Sequence, residues 1–256
     1  MPIIRRRLLL AAIAIAAIPA APARAEFIVA PDVVVHCEPT LRPALAAIAA
    51  AWRRQTGVPV DLFAAPTASI LEQVGHRVRA DLIIGEGKAA AADAARRHII
   101  DPPTLVTLWR NRLVAAARAS APPGSSDALA TRIGVGPIAI VDPLIGSAGI
   151  DTRQALSAAG LWPAIEAHRI GVVGTADASF LLTGGRVEHA VLYASDVAAD
   201  PGLVVVAPLP DAYPPIVYWV AETHNKLSPK TVDFAQFLRE PPAQERAHSA
   251  GLEILR

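Results

Sequence analysis

Short β-rich runs alternate with helical stretches along most of this chain, and this alternation constrains the fold more than any other feature. The clearest helical stretch runs from Thr40 to Thr56 and ends at Gly57, with Leu45, Ile48 and Trp52 on one face. Strands separated by helices are joined by crossover connections, which favour parallel pairing. The sequence therefore predicts an α/β fold with mostly parallel sheets flanked by helices.

The alternation also places the individual elements. Strands are predicted at 33–35, 58–63, 80–84, 113–117, 138–141, 170–173 and 190–193, and helices at 40–56, 69–75, 89–98, 152–159, 162–167 and 177–182. The last 30 residues are predicted to be helical, with prolines punctuating them. The stretch 120–127 is rich in Ser, Pro and Gly, which predicts a surface loop.

The first 25 residues are typical of a secretory signal peptide. Three arginines at 5–7 precede an uncharged apolar run, and Ala23 and Ala25 form a small-residue cleavage motif. The apolar run is shorter than the roughly 20 residues of a membrane-spanning helix. We predict cleavage after Ala25, a mature chain that starts at Glu26, and a periplasmic location.

Removal of this segment changes the charge of the chain. The segment holds four of the 24 basic residues and no acidic residue, so the mature chain has 20 basic and 23 acidic residues, a net charge of −3. No basic excess remains for binding nucleic acid. Cys37 is the only cysteine, so no intrachain disulfide forms, and burial is its commonest fate.

Six segments, in order, resemble the periplasmic molybdate-binding proteins of ABC importers. The similarity spans nearly all of residues 33–252. The matching segments are Thr40-Leu41 with Trp52 to Val58, Ala80-Asp81-Leu82, Asn111 to Val114, Asp142-Pro143 with Ser147-Ala148-Gly149 and Gln154-Ala155-Leu156, Tyr193 to Asp196, and Pro208 to Ala221.

The resemblance implies a two-lobed periplasmic-binding-protein (type II) fold whose lobes close on a ligand. Residues 26–112 would form the first part of lobe 1, 113–213 lobe 2, and 214–256 the return segment of lobe 1. It also implies a monomer that delivers a small oxyanion, molybdate or tungstate-like, to an ABC transporter permease in the inner membrane. No catalytic residue, metal or cofactor is implied.

The resemblance further implies a ligand held by hydroxyl groups, backbone N–H groups and one tyrosine. The matching positions are Thr40, Thr67, Ala148, Thr175 and Tyr193. Ala148 and Thr175 would contribute backbone N–H groups. Helix N-termini suit this task because their first N–H groups lack partners and their dipole favours anions.

Each of these residues also has an ordinary structural interpretation. Thr40 suits a plain helix N-cap, and Ser69 with Glu72 suits a capping box beside Thr67. Tyr193 suits a core or interface position.

The segment from His36 to Pro39 departs from the resembled family, which has small residues there. Glu38 would bring a carboxylate close to the site, where it would oppose an anionic ligand. Either Glu38 points away, or the same fold binds a different ligand, such as a small organic solute or a metal ion, for transport or sensing.

Two further hypotheses involve the same segment. A metal site built on it is disfavoured because neighbouring residues of a strand face opposite sides. An enzyme with Cys37 as nucleophile and His36 as base is disfavoured for the same reason.

Overall fold

The computed structural model describes residues 33–120, 133, 136–224 and 228–255. The predicted signal peptide, its cleavage site and the mature N-terminus at Glu26 lie outside these residues. So does the predicted loop at 120–127, except for Ser120.

Two β-sheets organise the described chain. The first sheet has six strands in the order β11-β4-β10-β3-β1-β2. Its strands are β1 (Val33–Cys37), β2 (Val60–Ala64), β3 (Leu82–Glu86), β4 (Val106–Asn111), β10 (Ile216–Glu222) and β11 (Glu253–Ile254). The second sheet has five strands in the order β7-β6-β8-β5-β9. Its strands are β5 (Leu113–Arg118), β6 (Ile138–Val141), β7 (Arg169–Val172), β8 (His189–Tyr193) and β9 (Leu203–Pro208).

Helices connect and flank the strands of both sheets. The helices are α1 (Arg42–Thr56), α2 (Thr67–Gly75), α3 (Lys88–Arg96), α4 (Ser147–Ala158), α5 (Trp162–Glu166), α6 (Thr175–Thr183), α7 (Ala194–Ala199), α8 (Pro229–Phe237) and α9 (Pro241–Ser249), with 3-10 turns at Pro39–Leu41 and Pro102–Thr104. We call lobe 1 the elements from 33–111 and 216–255, and lobe 2 those from 113–208.

The predicted two-lobed α/β class is confirmed, with one correction to the sheets. Each sheet is mixed rather than mostly parallel: β2-β1-β3 and β7-β6-β8 are parallel, whereas the other pairs are antiparallel. The reason is the path of the chain. It crosses from β4 to β5 through Arg112 alone and returns from β9 into β10, which enters the first sheet between β3 and β4.

The helix ends agree with the sequence in part. Gly57 ends α1 in the left-handed conformation, with φ 77°. Thr40, however, is not the N-cap of α1, because it lies inside the preceding 3-10 turn and Leu41 takes the cap position. The predicted capping box of Ser69 and Glu72 is also wrong, because α2 begins at Thr67, two residues earlier than predicted.

Close packing holds β3 and β10 together next to the lobe interface. Trp219 on β10 lies opposite Gly85 on β3, and a Cβ at position 85 would lie 2.4 Å from the Trp219 ring. The buried indole also donates a hydrogen bond to the Gly87 carbonyl (3.0 Å). Gly85 therefore permits an approach that a larger residue would prevent.

None of the helices described is long and apolar enough to cross a membrane.

Candidate functional site

The two lobes share a cavity of about 270 Å³. Lobe 1 contributes Pro39 and Thr40, and lobe 2 contributes Thr175, Ala176, Ser179, Asp196, Ala199 and Asp200. Two lining residues connect the cavity to polar groups at neighbouring strand ends and helix starts: Thr40 contacts the Tyr218 hydroxyl, and Asp196 accepts from the Tyr193 N–H. We call this region the cleft.

On the lobe 1 side, Glu38 lies against the start of α2. Its carboxylate accepts a hydrogen bond from the backbone N–H of Thr67 (2.5 Å), and the Thr67 hydroxyl donates to the same oxygen. Glu38 follows β1 directly, and the chain there turns into the 3-10 turn. Burial raises the pKa of Glu38, and the two bonds from Thr67 offset part of this rise.

A second carboxyl group, that of Glu86, lies at the end of β3. Its backbone N–H donates to the Thr67 hydroxyl (2.8 Å), so Thr67 connects the two glutamates. Burial, together with the nearby charges of Glu38 and Asp151, raises the pKa of Glu86 to about 8. Interaction with the Ser147 hydroxyl of lobe 2 partly offsets this effect.

A buried polar network joins the lobes beneath these carboxyl groups. Thr40 Oγ1 and the Tyr218 hydroxyl are 3.1 Å apart. The Asn111 amide donates to the Tyr218 hydroxyl (3.2 Å) in lobe 1 and to Ser195 Oγ (2.8 Å) in lobe 2. Asn111 is the last residue before the first crossing, so this network lies where the lobes are connected.

On the lobe 2 side, the start of α4 presents backbone donors. Gly146 takes the N-cap position without a side-chain cap. The N–H groups of Ser147 and Ala148 donate to no acceptor in the described part of the chain. Gly149 allows α4 to begin close to β6, because a Cβ there would lie 2.3 Å from the Val141 carbonyl oxygen.

The start of α6 also presents backbone donors. Its N-cap is Gly174, and the N–H groups of Thr175 and Ala176 likewise have no acceptor among the described residues. The Thr175 hydroxyl interacts with Asp196, whose pKa burial raises to about 6. Asp196 also accepts a hydrogen bond from the backbone N–H of Tyr193 (3.2 Å), as a cap of α7.

Tyr193 ends β8 with its side chain buried, 4% exposed. Burial raises the pKa of its phenol well above the usual value, and the charge of Glu86 acts in the same direction. The Ser147 hydroxyl interacts with the phenol and lowers this pKa in part. Ser147 therefore lies between Tyr193 of its own lobe and Glu86 of lobe 1.

The charged groups around this site are acidic. Glu38, Glu86, Asp151 and Asp196 all have pKa values raised by burial. In the described ranges, no ion pair links any of these four carboxylates to a Lys or Arg.

The neighbouring His36 and Cys37 do not join this site as reactive groups. Cys37 is fully buried, and burial raises the pKa of its thiol to about 12. His36 stacks on Phe63 and contacts the Arg79 carbonyl through Nε2 (3.1 Å). Among the described residues, no group of three or more His, Cys, Asp or Glu side chains is arranged to hold a metal ion.

Of the five predicted ligand residues, Thr40 and Thr175 line the shared cavity, and Tyr193 interacts with Ser147 beside the start of α4, where Ala148 lies. Thr67 lies at the start of α2, with both its donors directed to Glu38. Sequence reasoning missed Glu86, Ser147 and Tyr218. Ser147 could have been identified, because it directly precedes Ala148 in the matching segment Ser147-Ala148-Gly149, although the helix there was predicted to begin only at residue 152.

The model of the family described as "Bacterial extracellular solute-binding protein" matches residues 33–253, almost the whole described chain. This chain belongs to that family.

Individual proteins are similar to this chain in sequence or in fold. The molybdate-binding protein ModA of Escherichia coli (strain K12) is 28% identical over 230 residues, which cover 87% of this chain and 89% of that protein. The periplasmic molybdate-binding protein of Azotobacter vinelandii has a similar fold, with a TM-score of 0.72 at 16% identity, over 88% of this chain and 100% of that one. Peb3 from Campylobacter jejuni gives a TM-score of 0.69 at 18% identity, with the same coverage. A structure of PEB3 with bound L-phospholactate is equally similar.

Membership of the solute-binding protein family makes this chain a binding protein and not an enzyme. The buried, protonated thiol of Cys37 agrees with that conclusion, because a thiol needs to ionise before it acts as a nucleophile. The chemistry of the cleft is therefore that of reversible recognition.

Proposed function

We propose that this protein is exported to the periplasm, binds a small solute in the cleft and delivers it to the permease of an ABC importer in the inner membrane. Lobe closure around the solute would distinguish the loaded form from the empty one. The predicted signal peptide and the similarity to a periplasmic molybdate-binding protein support the location. The resemblance to the molybdate-binding proteins of ABC importers supports the partner.

One observation supports a ligand with an oxygen-rich, anionic group. The starts of α4 and α6 present N–H groups without an acceptor among the described residues, and the hydroxyls of Ser147, Tyr193 and Thr175 lie beside them. Such helix starts bind phosphate, carboxylate and other oxyanions, since both the N–H groups and the helix dipole favour negative charge.

The Glu38 carboxylate of lobe 1 favours the second candidate ligand class, a small organic solute, over a bare metal oxyanion. It would face the far side of an oxyanion held by lobe 2, and like charges repel in a partly buried site. A solute with an anionic end and a polar, hydrogen-bond-donating end would satisfy both lobes.

Isothermal titration calorimetry of the mature protein tests this function. The chain from Glu26 onward would be titrated separately with molybdate, tungstate, sulfate, inorganic phosphate and L-phospholactate. We expect saturable binding of at least one of them. For that ligand, Tyr193→Phe should raise the Kd about fivefold, because one hydrogen bond is worth about 1 kcal/mol.

The matched control is Thr183→Val, which removes an exposed hydroxyl at the opposite end of α6 from Thr175. Its Kd should equal that of the unaltered protein. Absence of saturable heat with all five solutes, or binding that Tyr193→Phe leaves intact, would contradict a ligand site of this composition.

A further inference from the structure

Three helices, α2, α4 and α6, have a predicted ligand residue as their first or second residue, and the first N–H groups of these helices differ in one respect. At α4 and α6 the first N–H groups have no acceptor among the described residues, whereas at α2 the Thr67 N–H donates to the Glu38 carboxylate (2.5 Å). The Thr67 hydroxyl donates to the same carboxylate oxygen. A carboxylate of the protein itself therefore lies where a helix start would otherwise attract an external anion.

Thr67 has no donor left for a ligand. Its N–H and its hydroxyl hydrogen are both directed to Glu38, and its hydroxyl oxygen accepts from the Glu86 N–H (2.8 Å). Thr67 is also buried, 7% exposed, so the arrangement is fixed within the fold rather than formed by a mobile surface side chain. An anion that approached α2 would meet the Glu38 carboxylate instead of a donor.

We propose that Glu38 is the specificity-determining residue of the cleft. It occupies the anion position at the start of α2, excludes ligands that present only acceptor oxygens to lobe 1, and selects a ligand that carries a hydrogen-bond donor on that side. This inference rests on the proposed function, in which the solute is held between the lobes. It deepens that function by defining the class of ligand.

The excluded and favoured ligands follow from elementary chemistry. Molybdate, tungstate and sulfate are dianions without a proton near neutral pH, so every oxygen they present is an acceptor. Hydrogen phosphate, a phosphate ester with a free hydroxyl, and an amino acid all carry a donor as well as an anionic group. A like charge or an unpaired donor costs more binding energy the more deeply it is buried, so a single carboxylate can separate these classes.

Glu86 occupies the neighbouring position, and because its pKa is raised to about 8 it holds its proton at neutral pH, so Glu38 carries the charge that an anion would meet. Glu86 lies within electrostatic reach of Glu38 and interacts with Ser147 across the cleft. No Lys or Arg forms an ion pair with either glutamate in the part of the chain that is described. Nothing there compensates for the carboxylate that an unprotonated oxyanion would meet.

The test compares sulfate, molybdate and inorganic phosphate in calorimetric titrations of three proteins. They are the unaltered mature chain, Glu38→Gln, and Asp233→Asn, a control that removes one exposed carboxylate of lobe 1 on α8. Glu38→Gln keeps the shape and an acceptor for Thr67 but removes the charge. We expect it to bind sulfate and molybdate about 10- to 100-fold more tightly than the unaltered chain, since one like charge at close range contributes that much. Asp233→Asn should change neither affinity by more than about twofold.

The ratio of phosphate to sulfate affinity provides a second readout. The two ions have the same shape, but only phosphate carries a proton near neutral pH. Any preference of the unaltered chain for phosphate should diminish in Glu38→Gln. Glu38→Ala, which frees both donors of Thr67, should gain sulfate and molybdate affinity as well, and its circular dichroism and melting curve would show that it is folded.

The outcomes separate this inference from the proposed function. If neither folded Glu38 variant binds sulfate or molybdate more tightly than the unaltered chain does, Glu38 is not the selective element, and the inference fails. In that case the unaltered chain can still bind a solute in a Tyr193-dependent manner, which would leave the proposed function standing. If the unaltered chain binds none of the solutes but the Glu38 variants gain molybdate, the inference holds, because removal of one carboxylate opens the cleft to an acceptor-only oxyanion, whereas the function proposed for the unaltered chain is contradicted.

Discussion

The pKa of Glu86 shows how strongly the ionisation of a buried carboxyl group depends on its surroundings. Glu86 ends β3, and burial together with the charges of Glu38 and Asp151 raises its pKa to about 8. A carboxyl group whose pKa is higher in the folded than in the unfolded state binds its proton more tightly when folded. Its contribution to stability is therefore full at low pH and is lost as the pH rises toward the folded pKa.

This sign gives a prediction for Glu86→Gln. Between the ordinary value of 4.5 and about 8, the unaltered chain should lose stability as the pH rises, and the variant should lose less. The free energies of unfolding of the two proteins should be similar near about pH 5. Near about pH 9 they should differ by on the order of 1–3 kcal/mol, after allowance for solvent screening. Urea unfolding across this range measures it, with exposed Glu72→Gln as control. Parallel pH profiles for Glu86→Gln and the unaltered chain would be inconsistent with a buried, protonated Glu86.

The sequence predicted individual residues when their place in the fold followed from the local segment of the chain. Thr40 and Thr175, two of the residues that the resemblance implied, line the shared cavity, and their contact with a ligand stays a prediction. The sequence also placed Glu38 near the site. It did not predict that the Glu38 carboxylate accepts a hydrogen bond from the N-terminus of α2. Glu86 was missed because an acid at a strand end is an ordinary boundary residue, and its burial depends on side chains distant in sequence.

At the scale of elements, the start of α4 depends on one glycine. Gly149 is buried, and a Cβ there would lie 2.3 Å from the Val141 carbonyl oxygen and 2.7 Å from the Asp142 carbonyl carbon. These atoms belong to the backbone, so no side-chain rotation relieves the contact. The small residue lets the first N–H groups of α4 face the cleft while the helix packs on the end of β6.

Gly149→Ala should therefore shift the first turn of α4. We expect a loss of about 1–3 kcal/mol in the free energy of unfolding, typical of overpacking at a rigid position. Amide hydrogen exchange in the first turn of α4 should become faster. Ser157→Ala, at an exposed position of the same helix, is the control and should change neither quantity. If Gly149→Ala behaves like that control, the close approach of α4 to β6 does not restrict which residue position 149 tolerates.

The elements that the sequence predicted least well are those without their own periodic signal. β4 and β9 were not predicted, and α7 is only six residues long and follows Tyr193 without a turn. The segment of β10 was noted only for its resemblance to the family. β10 is buried at every position, so its apolar run lacks the alternation that distinguishes a half-buried strand.

At the scale of the whole molecule, the lobes are joined by two chain crossings and a buried polar network. The alternation of strands and helices predicts an α/β fold, but it does not show where the chain changes sheets. The first crossing is Arg112 alone, which carries no turn signature. The two-lobed arrangement was predictable through family resemblance rather than from local pattern, because the antiparallel entry of β10 is a long-range contact.

Asn111 should be important for coupling between the lobes. Its amide donates to Ser195 of lobe 2 and to Tyr218 of lobe 1, and all three side chains are buried. Asn111→Ala should reduce the free energy of unfolding by about 1–3 kcal/mol, because two buried hydroxyls lose a partner. Urea unfolding followed by fluorescence and circular dichroism would measure it. Gln236→Ala, an exposed amide on α8, is the control. If Asn111→Ala lowers the free energy of unfolding no more than Gln236→Ala does, the hydrogen bonds of Asn111 do not stabilise the fold.

The burial of Cys37 has a practical consequence for observing lobe motion. The only thiol of the chain is fully enclosed and holds its proton up to a pKa of about 12, so it should not react with maleimide reagents while the protein is folded. Two cysteines introduced at exposed positions, one in each lobe, would therefore carry spectroscopic labels without a background from the native thiol. The separation of such labels, read by resonance energy transfer or spin–spin coupling, would report opening and closing directly in the otherwise native molecule.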